Sequence, residues 1–283
     1  MSSAASRLAF LWNRLRRSRH TLVGGLVFLG LVVVAVAAPV LGHTDLYLMK
    51  PQDALRPPSP LHWFGTNEFG RDMFARVVQG AHLSLGVGVV AVGIACGIGV
   101  LVGLVSGYYS GTVDLVLMRL VDLMLAFPGI LLALAIVAIL GPGLTNAMIA
   151  VGINGIPAYA RVIRGAVLQA RATLYVEGAR AVGVPPRTIL TRYLLPNVTA
   201  PIVVLSTLNM AGAILTAASL SFLGLGAQPP QPEWGALLNA GRNWLIQAWW
   251  LMTFPGLAIM VTVLSINALG DGLRDVLDPR LRA

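Results

Sequence analysis

The chain has 283 residues, of which 57% are hydrophobic and 11% are charged. A typical soluble domain carries about 25% charged residues, so this composition indicates an integral membrane protein in contact with lipid. The formal net charge of +9 does not indicate a nucleic-acid partner, because the arginines lie in separate loops between apolar runs and not on one soluble face. The sequence therefore excludes a soluble domain and predicts a chain whose charges set its orientation in the membrane.

Metal and disulfide chemistry have little support in this sequence. Cys96 is the only cysteine, so an intrachain disulfide is impossible. The four histidines show no close metal-ligand spacing. We expect no metal site.

A basic head, residues 1–20, precedes the first long apolar run. Residues 21–41 carry no charge and suffice to cross about 30 Å of hydrocarbon at about 1.5 Å per residue. A signal peptide is the alternative, because residues 35–37 read Ala-Val-Ala, which resembles a cleavage site. The apolar region of a signal peptide usually has about 7–15 residues, and this run is longer. We therefore predict a retained first transmembrane helix.

The longest polar excursion, residues 42–80, is predicted to be extracytoplasmic. From Met73 onward, apolar residues recur at helical spacing. This pattern predicts an amphipathic helix that lies on the outer surface before the second span.

Residues 81–270 are predicted to form a five-helix core, followed by a cytoplasmic tail at 271–283. Uncharged or nearly uncharged runs cover 83–105, 123–140, 144–160, 198–222 and 247–269. The run at 144–160 is the weakest, because Asn146, Asn154 and Pro157 interrupt it. If it crosses, the arginines that follow it lie on the same side as the basic head, as the positive-inside rule requires. We therefore predict an all-α polytopic membrane protein with six transmembrane helices and both termini in the cytoplasm.

Three local predictions accompany this topology. Pro128 is expected to bend the third span but to leave it continuous. Trp234 and Trp244 are expected to lie at the headgroup level as interfacial anchors. Arg119 and Asp122 are three residues apart on a helix and are expected to pair with each other or to reach towards the membrane surface.

A short segment rich in Arg and Pro, residues 171–197, separates two apolar runs and is predicted to be cytoplasmic. A helix is predicted over 175–182, with Gly183 ending it at positive φ and Pro185-Pro186 preventing its continuation. A second helix is predicted over 187–195, closed by Pro196. Two short helices joined by a Gly/Pro elbow on a membrane surface suggest a docking element.

This segment resembles the EAA loop of ABC importer permeases: Glu-Ala-Ala, three residues, Gly, nine residues, Ile, one residue, Leu-Pro. Glu177 and Ala179 match, Gly183 stands at the right distance, and Leu195-Pro196 closes the pattern. Gly178 replaces the first Ala, and Tyr193 replaces Ile. The resemblance implies a type I importer permease fold and a coupling helix seated in a cleft of an ATPase subunit. The residues to which it assigns this coupling role are Glu177, Gly178, Ala179, Arg180, Gly183, Arg187 and Pro196.

Three other stretches resemble the dipeptide/oligopeptide branch of these permeases, whose relatives include nickel importers. They are Gly-Thr-x-x-x-Gly-Arg-Asp at 65–72, Pro-Pro-x-Pro-x-Trp-Gly at 229–235, and the carboxyl-terminal stretch 270–280. The resemblance implies a C-type permease subunit of the bacterial plasma (inner) membrane that moves di- or oligopeptides by alternating access. Nickel or a metal chelate remains the alternative cargo.

The same resemblance implies several partners. They are a paralogous permease subunit that completes a heterodimer, two ABC ATPase subunits and an extracytoplasmic substrate-binding protein. The chain has no Gly-x-x-x-x-Gly-Lys-Ser/Thr stretch. We therefore expect no cofactor in this chain, with ATP and Mg bound by the ATPase subunits.

An intramembrane enzyme is the rival from another class. Asp122 has no second aspartate at a comparable depth, and Ser219 and Ser221 have no histidine on a nearby span. No span carries the dense polar stripe of a passive channel. We therefore predict no catalytic residue. The polar residues expected to line a translocation path are Asn154, Asn209, Ser219 and Asn267.

Overall fold

The computed structural model describes residues 19–41 and 47–277, which contain no β-strand. The nine helices of those residues are α1 Arg19–Leu41, α2 Met73–Tyr109, α3 Gly111–Leu125, α4 Gly129–Leu140, α5 Leu144–Arg171, α6 Leu174–Ala181, α7 Pro186–Phe222, α8 Trp234–Gly241 and α9 Trp250–Leu277. Nearly all of the predicted basic head and the last six residues of the predicted tail lie outside this description.

Four helices, α1, α2, α7 and α9, are long and apolar enough to cross a membrane. The bent pair α3 and α4 becomes a fifth candidate if it forms one span. Helix α5 has 28 residues but is not among the candidates, because Asn146, Asn154 and Arg161 lower its mean hydropathy. An all-helical fold with several apolar helices is therefore confirmed.

The separate outer-surface helix predicted before the second span is wrong. Helix α2 runs without interruption for 37 residues, a length of about 55 Å at about 1.5 Å per residue. Its start is capped by Asp72, whose Oδ1 accepts a hydrogen bond from the Ala75 N–H at 2.9 Å. The amphipathic stretch and the span are one helix that extends beyond the hydrocarbon.

The predicted third span is broken at Pro128, a sharper change than the kink that we expected. Helix α3 ends at Leu125, α4 begins at Gly129, and their axes differ by 92°. Pro128 has extended backbone angles and precedes the first residue of α4, so it starts a new helix and does not merely bend one. The ion pair of Asp122 is with Arg161 of α5, at 2.7 Å, and not with Arg119.

Trp234 is not an interfacial anchor. Its side chain is 1% exposed, and its Nε1–H donates to the Val77 carbonyl at 2.9 Å. Glu233 precedes it and caps α8 by accepting hydrogen bonds from the Gly235 and Ala236 N–H groups. Burial raises the pKa of the Glu233 carboxyl, and these backbone hydrogen bonds oppose the shift. The segment between α7 and α9 thus folds into the protein.

Close contact between α2 and α5 organises the centre of the molecule. Gly99, Gly103 and Gly107 of α2 face Tyr159, Ile163 and Val167 of α5 in that order. Glycine at four-residue spacing allows two helix backbones to approach in lipid. Because the residue numbers rise together, α2 and α5 run in the same direction.

The α2–α5 contact predicts an asymmetry between two glycines of α2. A Cβ at Gly103 would lie 2.8 Å from the Ala160 carbonyl oxygen, whereas one at Gly97 would meet nothing within 4 Å. We expect Gly103→Ala to destabilise the protein by about 1–3 kcal/mol through overpacking. Gly97→Ala is the matched control and should leave stability equal or higher, because alanine favours a helix. Thermal unfolding in detergent measures both, and equal melting temperatures for the two variants would contradict this packing account.

Candidate functional site

Helix α6 has one buried and one exposed face. Val176 and Ala179 are buried, whereas Glu177, Gly178 and Arg180 are exposed. Two large apolar side chains flank the exposed face: Leu174 is 86% exposed and Val182 is 79% exposed. A charged residue between exposed apolar groups at the end of a bundle is typical of a surface that binds another protein.

The elbow after α6 has the hydrogen bonds of a Schellman motif. The Gly183 N–H donates to the Arg180 carbonyl, and the Val184 N–H donates to the Ala179 carbonyl, both at 3.0 Å. Gly183 has φ of +78°, which a residue with a Cβ adopts only at a cost. The predicted helix and its glycine terminator are therefore confirmed, with the helix shifted by one residue.

The second predicted helix is not closed by Pro196. The chain is helical from Pro186 to Phe222, with a π-helical segment at Ile189–Leu194 and a 3₁₀ turn at Leu195–Val198. A proline lacks the N–H group that an α-helix needs. Here the local hydrogen bonding changes from π to 3₁₀ around it, so the helix continues into the membrane with a local distortion.

Two arginines of this segment hold the carboxyl end of α2. Arg171 Nη1 donates to the Tyr108 carbonyl at 2.9 Å and to the Gly107 carbonyl at 3.3 Å. The guanidinium carbon of Arg180 lies 4.7 Å from the centre of the Tyr108 ring. The last carbonyls of a helix have no partner within it, so Arg171 satisfies groups that would otherwise need water.

A bidentate ion pair lies nearby and connects three helices. Arg164 of α5 donates from Nε and Nη2 to the two carboxylate oxygens of Asp114 on α3, each at 2.6 Å. Ser106 of α2 also donates to Asp114. Sequence reasoning did not identify this cluster. The only available signal was the position of each charge at the edge of an apolar run.

The buried side of this region forms an apolar cluster. It contains side chains from α2, α5, α6 and the first half of α7, which are Leu104, Tyr108, Ile163, Val167, Val176, Ala179, Ile189, Leu194 and Val198. The short helix α6 is therefore packed against the ends of two long helices and does not hang from a loop.

The residues that the EAA resemblance singles out all lie in this one region. Ala179 points into the apolar cluster, and the other six are exposed. The exposed six are Glu177, Gly178, Arg180, Gly183, Arg187 and Pro196. The geometry thus separates one packing residue from six residues that a partner can reach.

The four expected path residues have separate contacts in the described structure. Asn209 and Ser219 of α7 donate to carbonyls of their own helix, at Leu205 and Leu215. Asn154 of α5 lies against the start of α4 beside Gly129, and Asn267 is half-buried on α9. No hydrogen bond between two of these four occurs in the described part of the chain. Ser219 also borders an open depression of about 500 Å³ between α7, α8 and α9.

Candidate metal ligands do not cluster in the described ranges, 19–41 and 47–277. Within those ranges, no three residues among His, Cys, Asp and Glu come together in a way that could hold a metal ion. His62 instead pairs with Asp72, with Nδ1 and Oδ2 at 2.9 Å.

Comparison with known proteins identifies the family. Residues 99–283 match the family described as the binding-protein-dependent transport system inner membrane component. The chain is 45% identical over 272 residues to the dipeptide transport system permease protein DppC of Alkalihalophilus pseudofirmus, covering 96% of this chain and 90% of that protein. It is 46% identical over 273 residues to the glutathione transport system permease protein GsiD of Pectobacterium atrosepticum, covering 96% and 91%.

A solved structure supports the fold. The inward-facing MetNI methionine ABC transporter contains a chain that superposes with a TM-score of 0.59 at 22% identity, covering 72% of this chain and 97% of that chain. The predicted type I importer permease fold is confirmed at this level. This chain belongs to the family of binding-protein-dependent transport system inner membrane components: it is the inner-membrane permease of an ABC importer and not an enzyme, and the ATPase is a separate subunit.

Proposed function

We propose that this chain is the C-type permease subunit of an importer that moves di- or oligopeptides across the inner membrane. The observation that carries the cargo class is the similarity, at 45% and 46% identity over 96% of this chain, to a dipeptide and a glutathione permease. Both named solutes are short peptides. An extracytoplasmic substrate-binding protein delivers the peptide, and two ATPase subunits supply the energy.

Six membrane crossings with both termini in the cytoplasm fit the helix contacts. Because α2 and α5 run in the same direction, the chain has to recross the membrane between them, and the bent pair α3–α4 supplies that crossing. Helices α1 and α9 are antiparallel, since Thr21 lies against Gly272 and Gly24 lies against Ala268. The positive-inside rule supports this proposal, because the arginines of 171–197 then share one side with the basic head.

The proposed division of the chain follows from this topology. Residues 1–20 form a cytoplasmic head, 21–41 the first transmembrane helix, and 42–80 an extracytoplasmic segment. Residues 81–270 form the five-helix core that contains the coupling loop at 171–197, and 271–283 form the cytoplasmic tail.

The coupling loop carries the mechanism that we propose. Glu177 and Arg180 make polar contacts with an ATPase subunit, and Gly178 lets its surface approach α6 closely. Gly183 and Arg187 lie at the elbow that follows α6, Pro196 lies in the distorted first part of α7, and Ala179 anchors α6 to the apolar cluster. ATP-driven closure of the ATPase subunits moves α6 as a rigid lever, and the spans tilt from inward-open to outward-open.

A paralogous permease subunit completes the transport path in this proposal. The support is that no hydrogen bond joins Asn154, Asn209, Ser219 and Asn267 to one another within the described part of one chain. A heterodimer would bring such residues from two chains around a common axis. The four asparagine and serine residues remain our candidates for the lining of that path.

The cargo is tested by ATP hydrolysis in the reconstituted complex of both permeases and both ATPase subunits. We expect the binding protein to stimulate hydrolysis when it is loaded with a short peptide and not when it is loaded with nickel. The unloaded binding protein is the control. Stimulation only by the nickel-loaded form would replace the cargo and keep the importer, and stimulation by neither form would contradict the peptide proposal.

The coupling role of Glu177 is tested by reversal of its charge. We expect Glu177→Lys to abolish stimulated ATP hydrolysis and uptake, or to release the ATPase subunits, while the permease still inserts in the membrane. Asp275→Lys is the matched control, because Asp275 is also an exposed acidic residue, on α9. Co-purification of the ATPase subunits and uptake into vesicles are the measurements. Normal transport by the Glu177 variant would contradict the proposed contact between Glu177 and an ATPase subunit.

A further inference from the structure

A small cavity lies on the side of the molecule where α2 begins, opposite the coupling loop. It has a volume of about 90 Å³. Asn67, Glu68, Arg71 and Arg76 border it on one side, and residues 229–231 together with α8 border it on the other. Neither the coupling loop nor the proposed path residues contribute to it.

Arg76 is buried at this cavity, and two of its three guanidinium nitrogens have no partner among the described residues. It is 6% exposed, and its Nε and Nη1 atoms are buried with no hydrogen-bond acceptor among residues 19–41 and 47–277. The Nε of Arg71 is in the same condition. A buried guanidinium is strongly disfavoured unless a hydrogen-bonded anion accompanies it, so the cavity presents donors that call for an acceptor.

Two of the nearby acceptors, Asn67 and Asp72, are already occupied. Oδ1 of Asn67 accepts the backbone N–H groups of Phe69 and Arg71. The carboxylate of Asp72 accepts from the Ala75 N–H and pairs with His62. Glu68 attracts Arg76 at longer range, whereas Arg71 repels it. No ion pair of Glu68 occurs in the described chain, so two cations and one carboxylate without an ion pair lie on the same side of the cavity.

We propose that this cavity is a receptor for one carboxylate group, which Arg76 and Arg71 bind from the extracytoplasmic side. The planar guanidinium matches a carboxylate with two parallel hydrogen bonds. Pockets that enclose whole small molecules have volumes of about 300–1,000 Å³. This cavity is smaller, so it takes the carboxylate end of a larger ligand and not an entire peptide.

Two sources can present a carboxylate at this face, and identifying the source rests on the proposed function. One is an acidic side chain of the substrate-binding protein, and the other is the terminal carboxylate of the solute. The binding of a free carboxylate does not rest on the proposed function, so the first experiment tests the receptor alone.

The first experiment uses the purified importer complex and acetate as the probe. A ligand that binds only the folded state raises the melting temperature. We expect acetate to raise it above the value in chloride at equal ionic strength. The rise should vanish in Arg76→Gln and fall in Arg71→Gln. Arg242→Gln is the matched control, because Arg242 is an exposed arginine that follows α8, and it should respond as the unaltered protein does.

Several results would contradict the proposal that this cavity binds a carboxylate group. An equal response to acetate in both variants would do so, and so would the absence of a specific response in the unaltered protein. If Arg76→Gln fails to fold, the half-buried Arg71 still gives the comparison. Asp45 lies outside the described residues, two positions before Tyr47. If acetate raises the melting temperature only in Asp45→Asn, the carboxylate that fills the cavity belongs to this chain. That result would contradict the proposal of an external ligand.

The second experiment identifies the source by measuring the affinity of the unloaded binding protein for the complex. A loss of at least tenfold in Arg76→Gln would assign the carboxylate to the binding protein. Unchanged affinity with a weaker response to the peptide-loaded form would assign it to the solute. Unchanged affinity together with an unchanged response would contradict a role for the receptor in delivery.

Discussion

The guanidinium of Arg171 donates to the last carbonyls of α2, and the mechanism that we propose depends on this attachment. The carboxyl end of a helix carries unpaired carbonyls and a partial negative charge, so an arginine there is both hydrogen-bonded and electrostatically favourable. Arg180 adds a contact with the Tyr108 ring. These polar contacts add to the apolar cluster that packs the segment against the helix that it is proposed to move.

Packing between the neighbouring helices connects this attachment to the rest of the core. Glycines of α2 allow α5 to pack against it along several turns, and the Asp114–Arg164 pair connects α3 to α5 at the same end. In the proposed mechanism, a displacement of α6 is carried to three helices together. At the opposite end, Glu233 and Trp234 fix α8 against α2, so both ends of α2 have defined neighbours.

The sequence predicted the family and the α6 elbow well, because these depend on local residues. Gly183 must adopt positive φ, and its position after a short amphipathic helix specifies the turn. The errors arose where tertiary packing decides. Trp234 fits a membrane interface by residue type, but a carbonyl of α2 accepts its N–H. The Asp114–Arg164 pair joins two helices. The cavity at Arg71 and Arg76 is closed by residues 229–231 and α8. No spacing along the chain shows that these distant segments meet.

The most direct test of the rigid attachment is the number of solute molecules imported per ATP hydrolysed when Arg171 is changed to Gln. Arg171 is half-buried and faces α2, so the variant should assemble with the ATPase subunits and hydrolyse ATP. We predict that import per ATP falls severalfold. Arg192→Gln alters an exposed arginine of the same segment and should leave the ratio unchanged. An unchanged ratio in Arg171→Gln would contradict the claim that this attachment transmits the movement.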